Sequence, residues 1–179
     1  MANLDAPMGF NPIGKIGSGP SQKAGEYKVT NDAIFQGDAV QIAGNSGVLT
    51  QAGVGTTNVG VFWGCNFDDS TGKPVFTNQS AAGQASTAFV YDDPYQVFEL
   101  QGITGTNSAQ TDIGRKADIA VGTGNTTTGI SGMELNTATF ATGADINCTV
   151  IGFSGNPNRN ALGEAHTLYE VLINEHLYK

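Results

Sequence analysis

The side chains in this chain that could do chemistry are few and scattered. Gly9 and Gly14-Lys15 stand at the spacing of a phosphate-binding loop, in which backbone N–H groups cradle phosphates and a lysine reaches toward them. Ile16, however, occupies the place of the metal-binding Ser or Thr. Pro7 and Pro12 on one side, and Gly17 and Gly19 on the other, interrupt the strand and helix that such a loop requires. The two histidines, His166 and His176, flank the last apolar run. Ten residues of strand would set them about 33 Å apart, too far to share a metal. They read as solvated strand-end residues, with Glu175-His176 a polar pair available to a neighbouring subunit.

The adjacent carboxylates Asp68-Asp69 and Asp92-Asp93 diverge on turns and stay ionised in water. Neither pair has the alternating oxygen ligands and acidic closing residue of a calcium loop. No nucleophile, base and orienting group stand together. The expectation is therefore a non-enzyme, with no catalytic residue, cofactor or metal ligand.

Cys65 and Cys148 sit inside apolar, strand-like runs and read as buried free thiols. The chain shows no charged segment followed by an apolar one at its start, so synthesis in a reducing cytosol is expected. The sequons at Asn78, Asn125 and Asn147 are then idle. Trp63, in the dense run Val59-Gly60-Val61-Phe62-Trp63-Gly64, is expected in the core, with the glycines allowing a bend or bulge.

The elements that must position these residues read as strands. Runs with strand character are 26–30, 39–43, 48–51, 58–65, 87–91, 95–101, 116–121, 147–153 and 168–175. In the last, Tyr169, Val171 and Ile173 alternate with Glu170, Leu172 and Asn174, a period of two. Gly44-Asn45-Ser46-Gly47 and Asp92-Asp93-Pro94 each predict a hairpin. Residues 102–110 and 122–132 are rich in Gly, Thr, Asn and Ser and read as loops, and one short helix is expected at 160–166. The composition, with 25 glycines and only 13% charged residues, fits short strands joined by turns. An all-β fold, a small β-barrel or a sandwich, follows.

The chain divides at residue 25 into an extended N-terminal arm, 1–25, and a β-rich body, 26–179. Three of six prolines and five glycines fall in the arm, so neither a helix nor a central strand can run through it. Met8, Phe10, Ile13 and Ile16 are apolar side chains on a segment that cannot form a core by itself, which suggests burial against a partner. Through Lys28 the net charge is +1 and over the remainder −9, summing to −8. The acidic body would repel a phosphate backbone, so nucleic acid is not an expected partner. No run approaches the ~18–20 apolar residues of a membrane-spanning helix.

Several blocks carry a resemblance. Met1-Ala2-Asn3 with Ala6-Pro7-Met8-Gly9-Phe10, Gly37-Asp38-Ala39-Val40, the segment from Asp92 to Gln101, Asp112-Ile113-Gly114 and Ile173-Asn174-Glu175-His176 resemble the capsid decoration, or cement, proteins of tailed bacteriophages. The Gly37–Val40 segment followed by Val59-Gly60-Val61 also looks like the β-tulip body of head-stabilising proteins. The resemblance implies a homotrimer made in the host cytoplasm and carried on the outer capsid surface of the virion. There it would brace major capsid protein subunits of the expanded icosahedral head. It further implies an arm that anchors to the capsid, with Met8, Phe10, Ile13 and Ile16 giving apolar contact and Lys15 reaching an acidic rim. Glu175 and His176 would be candidates for subunit contact. On that reading, removing residues 2–25 should leave a folded body that no longer decorates. An alternative is a phage β-module that binds a host glycan or receptor through Tyr91, Asp92, Asp93 and Tyr95.

Overall fold

The computed structural model describes residues 2–17, 24–141 and 146–179. The strands in chain order are β1 (Asn11–Lys15), β2 (Gly25–Val29), β3 (Ile34–Phe35), β4 (Ala39–Ile42), β5 (Leu49–Gln51), β6 (Gly60–Asp68) and β7 (Pro74–Thr77). They continue as β8 (Gln79–Ser80), β9 (Ser86–Tyr91), β10 (Gln96–Gln101), β11 (Lys116–Ala120), β12 (Glu134–Ala141), β13 (Cys148–Phe153) and β14 (Leu168–Ile173). Among the described residues the only helical element is a 3-10 turn at Gln110–Asp112. The helix expected at 160–166 is absent and turns occupy the segment.

One sheet has the order β1-β10-β14-β13-β11-β12 and the other β2-β9-β6-β4-β5, with β7 also paired to β6; β3 and β8 form a small third ribbon. The two large sheets pack as a sandwich, and neither closes into a barrel. In the second sheet the edge strands β2 and β5 approach each other, through a bridge between Lys28 and Val48.

Strand periodicity explains where the core lies. Adjacent residues point to opposite faces, and the second sheet buries both. Ala39 and Val61 enter one cluster with Phe98, Leu100, Val150, Tyr169, Val171 and Ile173 of the first sheet. Their neighbours Val40 and Phe62 enter another with Val29, Ile34, Leu49, Ala88 and Val90. This is why Val59–Phe62 reads as an unbroken apolar run rather than an alternating one. Both thiols are free and buried, and burial pushes the Cys148 thiol well up.

The first predicted hairpin is present, joining β4 to β5. Gly44 and Gly47 adopt positive φ there, a conformation that costs glycine little. The second is not a hairpin. β9 and β10 lie in different sheets, so Asp92-Asp93-Pro94 carries the chain from one layer of the sandwich to the other. Its local chemistry is nevertheless that of a turn, for Tyr95 N–H donates to Asp93 Oδ1 at 2.8 Å.

Trp63 departs from expectation. The register of β6 against β9 shifts between Phe62 and Gly64, and this bulge leaves Trp63 37% exposed. It meets Tyr91 edge-on, with ring centroids 5.4 Å apart.

Candidate docking surface

The N-terminal residues lie along the body. Asn3 is buried and ties the chain start to the segment before β14, donating through Nδ2 to Ala165 O at 3.0 Å and Thr167 Oγ1 at 2.9 Å. Phe10 N–H donates to Gly37 O at 2.8 Å. β1 then pairs with β10 as the outermost strand of its sheet. Pro12 is tolerated there because an edge strand leaves one side of its backbone unpaired, and the register shifts between Pro12 and Gly14.

The residues expected to contact a partner therefore separate into different roles. Phe10 is only 2% exposed and belongs to the core between the sheets. Its apolar surface is covered by its own chain and is not left open to a partner, because the segment has a groove to fill on its own body. Ile13 and Ile16 keep 43% and 48% of their surface exposed. Met8 is half-buried and lines a shallow hollow of about 200 Å³ with Phe10, Gln36, Gly37, Trp63 and Ile130. Lys15 Nζ lies 2.6 Å from Asp93 Oδ2, so its charge is matched within the chain. Burial pushes the Asp93 carboxyl up, but hydrogen bonds from Lys15 and the Tyr95 N–H, with the Lys15 charge, outweigh this and hold it below the usual range.

A second exposed apolar group adjoins the first. Phe76 on β7 is 58% exposed and lies against Phe89 of β9, ring centroids 6.1 Å apart. The Phe76 ring also occupies the space beside Gly64, where an added Cβ would lie 2.6 Å from it. Phe89 and Tyr91 share a face of β9, two residues apart. Trp63, Tyr91, Phe89 and Phe76 thus form an aromatic row on the open part of the second sheet. Nothing in the sequence distinguishes these rings from core residues, because the bulge that turns Trp63 outward is a property of strand pairing.

Glu175 and His176 stand at the other chain end. The Glu175 carbonyl accepts from Asn58 N–H at 2.7 Å, and its side chain is half-buried. His176 is 6% exposed and is not the solvated strand-end residue that its position suggested.

One polar constellation could not be read from the sequence. Asp5, Glu134 and His166 bring ligand atoms within 4.8 Å of one another, from the N-terminal segment, β12 and the turn before β14. The amide of Gln101, the last residue of β10, lies among them. Its Nε2 is 3.0 Å from Asp5 Oδ1, 2.9 Å from Glu134 Oε1 and 3.4 Å from His166 Nδ1. Its Oε1 accepts from the Ala6 N–H at 3.0 Å and from Arg159 Nη2. These two donors fix the amide orientation, because a flip would set N–H against N–H. A donor nitrogen thus lies where a cation would have to sit, and the three residues do not fit a metal ion. Burial raises the Glu134 pKa, opposed by the Gln101 hydrogen bond. Zinc or manganese added to the protein is expected to leave the thermal unfolding midpoint unchanged; a saturable upward shift lost in Glu134→Gln would show that the trio takes a metal.

No protein-family model, curated protein sequence or solved structure matches this chain.

Proposed function

We propose that this chain is a structural decoration protein of a tailed-phage capsid. It binds the outer surface of the expanded head as a homotrimer and braces neighbouring major capsid protein subunits. The observation that supports this most is the exposed apolar margin left after the N-terminal segment has docked, namely Ile13 on the edge strand and Ile16 just after it with Met8 and Trp63 around the adjoining hollow. A rigid two-layer body with apolar side chains along one edge is suited to gripping another protein surface.

The edge also says how it would grip. Pro12 has no N–H to offer, and the register shift breaks the regular ladder, which limits strand addition to β1. Side-chain contact is then the main source of affinity. Fully burying an Ile contributes about 1.5–3 kcal/mol, and here roughly half of each is already covered, so one subunit binds weakly. A trimer multiplies the effect by raising the effective concentration of the second and third contacts.

The test is co-sedimentation with undecorated heads assembled from the major capsid protein of the same genome. Wild type should pellet with the heads and raise their rupture temperature, and Ile13→Asp/Ile16→Asp should do neither while keeping the wild-type circular dichroism. Wild-type protein left in the supernatant would overturn the proposal. A glycan array is the companion measurement, because the exposed Trp63–Tyr91 pair favours a host-glycan module as the second reading. Binding there, abolished by Trp63→Ala, would move the assignment to that class.

A further inference from the structure

We propose that His176 is a pH-operated latch for the C-terminal strap, residues 174–179, holding it closed while the ring is neutral and releasing it on protonation. The strap leaves β14 and runs beside Asn58. Asn58 N–H donates to Glu175 O at 2.7 Å, and Leu177 N–H donates to Asn58 O at 2.8 Å, so one residue clasps the strap on both sides of His176. The His176 ring closes the turn that follows. Its Nδ1 accepts the Tyr178 N–H at 3.2 Å, and the ring packs on Tyr178 with centroids 5.8 Å apart. The Tyr178 hydroxyl lies 3.0 Å from that of Tyr27 on β2. Leu177 and Tyr178 are 47% and 53% exposed, so little apolar burial holds the strap, and its hydrogen bonds carry a large share.

An imidazole that accepts at Nδ1 must be neutral, with its proton on Nε2. Protonation places a second donor against the Tyr178 N–H and removes the hydrogen bond that closes the turn. It also puts a charge on a group 6% exposed, whose Nε2 has no partner among the described residues, next to Asn58, whose Oδ1 likewise has none. The charged groups around the ring are Asp92 and Asp93 in the turn between the sheets and Lys179 on the strap itself. Asp93 is already paired with Lys15 of β1, and Asp92 accepts from the Tyr27 hydroxyl at 2.8 Å. Both carboxylates are thus partly engaged elsewhere. Burial lowers the His176 pKa, Lys179 adds to this, and the two aspartates oppose it without overcoming it.

The sign follows from linkage. With the strap closed His176 binds its proton more weakly than with the strap open, where the ordinary value of about 6.5 applies. The closed state is therefore fully favoured above that value and loses ground as the pH falls toward the folded pKa. Between the two pKa values the opening constant rises up to about tenfold per pH unit.

The experiment is a nitrogen-15 NMR titration of the full chain from about pH 7.5 to about pH 4.5, across the range where histidine titrates. The amides of Leu177, Tyr178 and Lys179 are expected to lose their dispersed shifts and become mobile, with one midpoint shared with the His176 ring and lying below its ordinary value. Amides of Val150 and Val171 should stay dispersed. In His176→Asn the side-chain oxygen can accept the N–H two residues on, so the strap should stay ordered throughout. In His176→Phe it should be mobile at both ends of the range. A strap that remains rigid while the ring titrates overturns the latch. So does release at the same midpoint in His176→Asn, or melting of the core amides together with the strap.

Discussion

Replacing Phe10 by alanine is expected to cost about 3–5 kcal/mol of folding stability, the range for emptying a buried aromatic site. The ring is 2% exposed and meets Phe98 edge-on with centroids 5.7 Å apart. The ring belongs to the cluster between the sheets that also holds Leu100, Val171, Ala39 and Val61. The turn before it is as closely fitted. Gly9 has φ +66°, and a Cβ there would lie 2.4 Å from Gly37 O, so the chain can enter the groove only with glycine at this position. For a domain with about 5–15 kcal/mol in total, such a loss is a fifth or more. Urea unfolding of Phe10→Ala beside Ile13→Ala measures it, the latter changing stability by well under about 1 kcal/mol because its side chain is half-exposed. A Phe10→Ala midpoint equal to wild type would show that the segment is not part of the folded core. The prediction also changes what an N-terminal deletion means. Removing residues 2–25 takes away an edge strand and a core ring along with any capsid contact, so lost decoration would no longer isolate the anchor. Point changes at Ile13 and Ile16 do.

The second large effect is expected at Gln101, which has no exposed surface. Gln101→Leu keeps the volume and removes every polar contact. Arg159, 9% exposed with a buried Nε that has no partner among the described residues, would keep among them only the Ala6 carbonyl, which accepts from its Nη2 at 2.9 Å. Glu134 would lose its donor; the exposed Asp5 would lose the same one, with water to replace it. Leaving buried polar groups unsatisfied costs about 1–3 kcal/mol each and more when they are charged, so a total of about 3–5 kcal/mol is expected. The pH dependence distinguishes this mechanism from simple misfit. Glu134 in the folded chain holds its proton more tightly than in the unfolded chain, because burial raises its pKa. Losing the Gln101 hydrogen bond strengthens that bias. A raised carboxyl pKa favours the folded state as the pH falls toward the ordinary value, so the deficit of Gln101→Leu should shrink on going from about pH 8 to about pH 5. A deficit independent of pH would place the cost in packing instead.

The nine strands expected from alternation and apolar runs are all present, their ends displaced by at most three residues. Those elements were legible because a period of two and turn-forming residues are properties of a short stretch of chain. The strands not foreseen had no such local mark. β3 and β8 are two residues each, and β12, Glu-Leu-Asn-Thr-Ala-Thr-Phe-Ala, buries Leu135 and Thr137 with few other apolar groups. β1 contains Pro12 and Gly14, which exclude a central strand and are accommodated at an edge.

Composition and pattern by themselves determined that this is a β protein with buried thiols and a β4–β5 hairpin. Only tertiary structure decided between a sandwich and a barrel, and which layer each strand joins, because a turn such as Asp92-Asp93-Pro94 has the same local chemistry whether it reverses a strand or crosses between sheets. Tertiary structure also decided the fate of the candidate contact residues. An apolar side chain on an irregular segment carries no record of what will cover it, and here Phe10 found its own core while Ile13 and Ile16, three and six residues on, were left facing outward by the edge of a sheet.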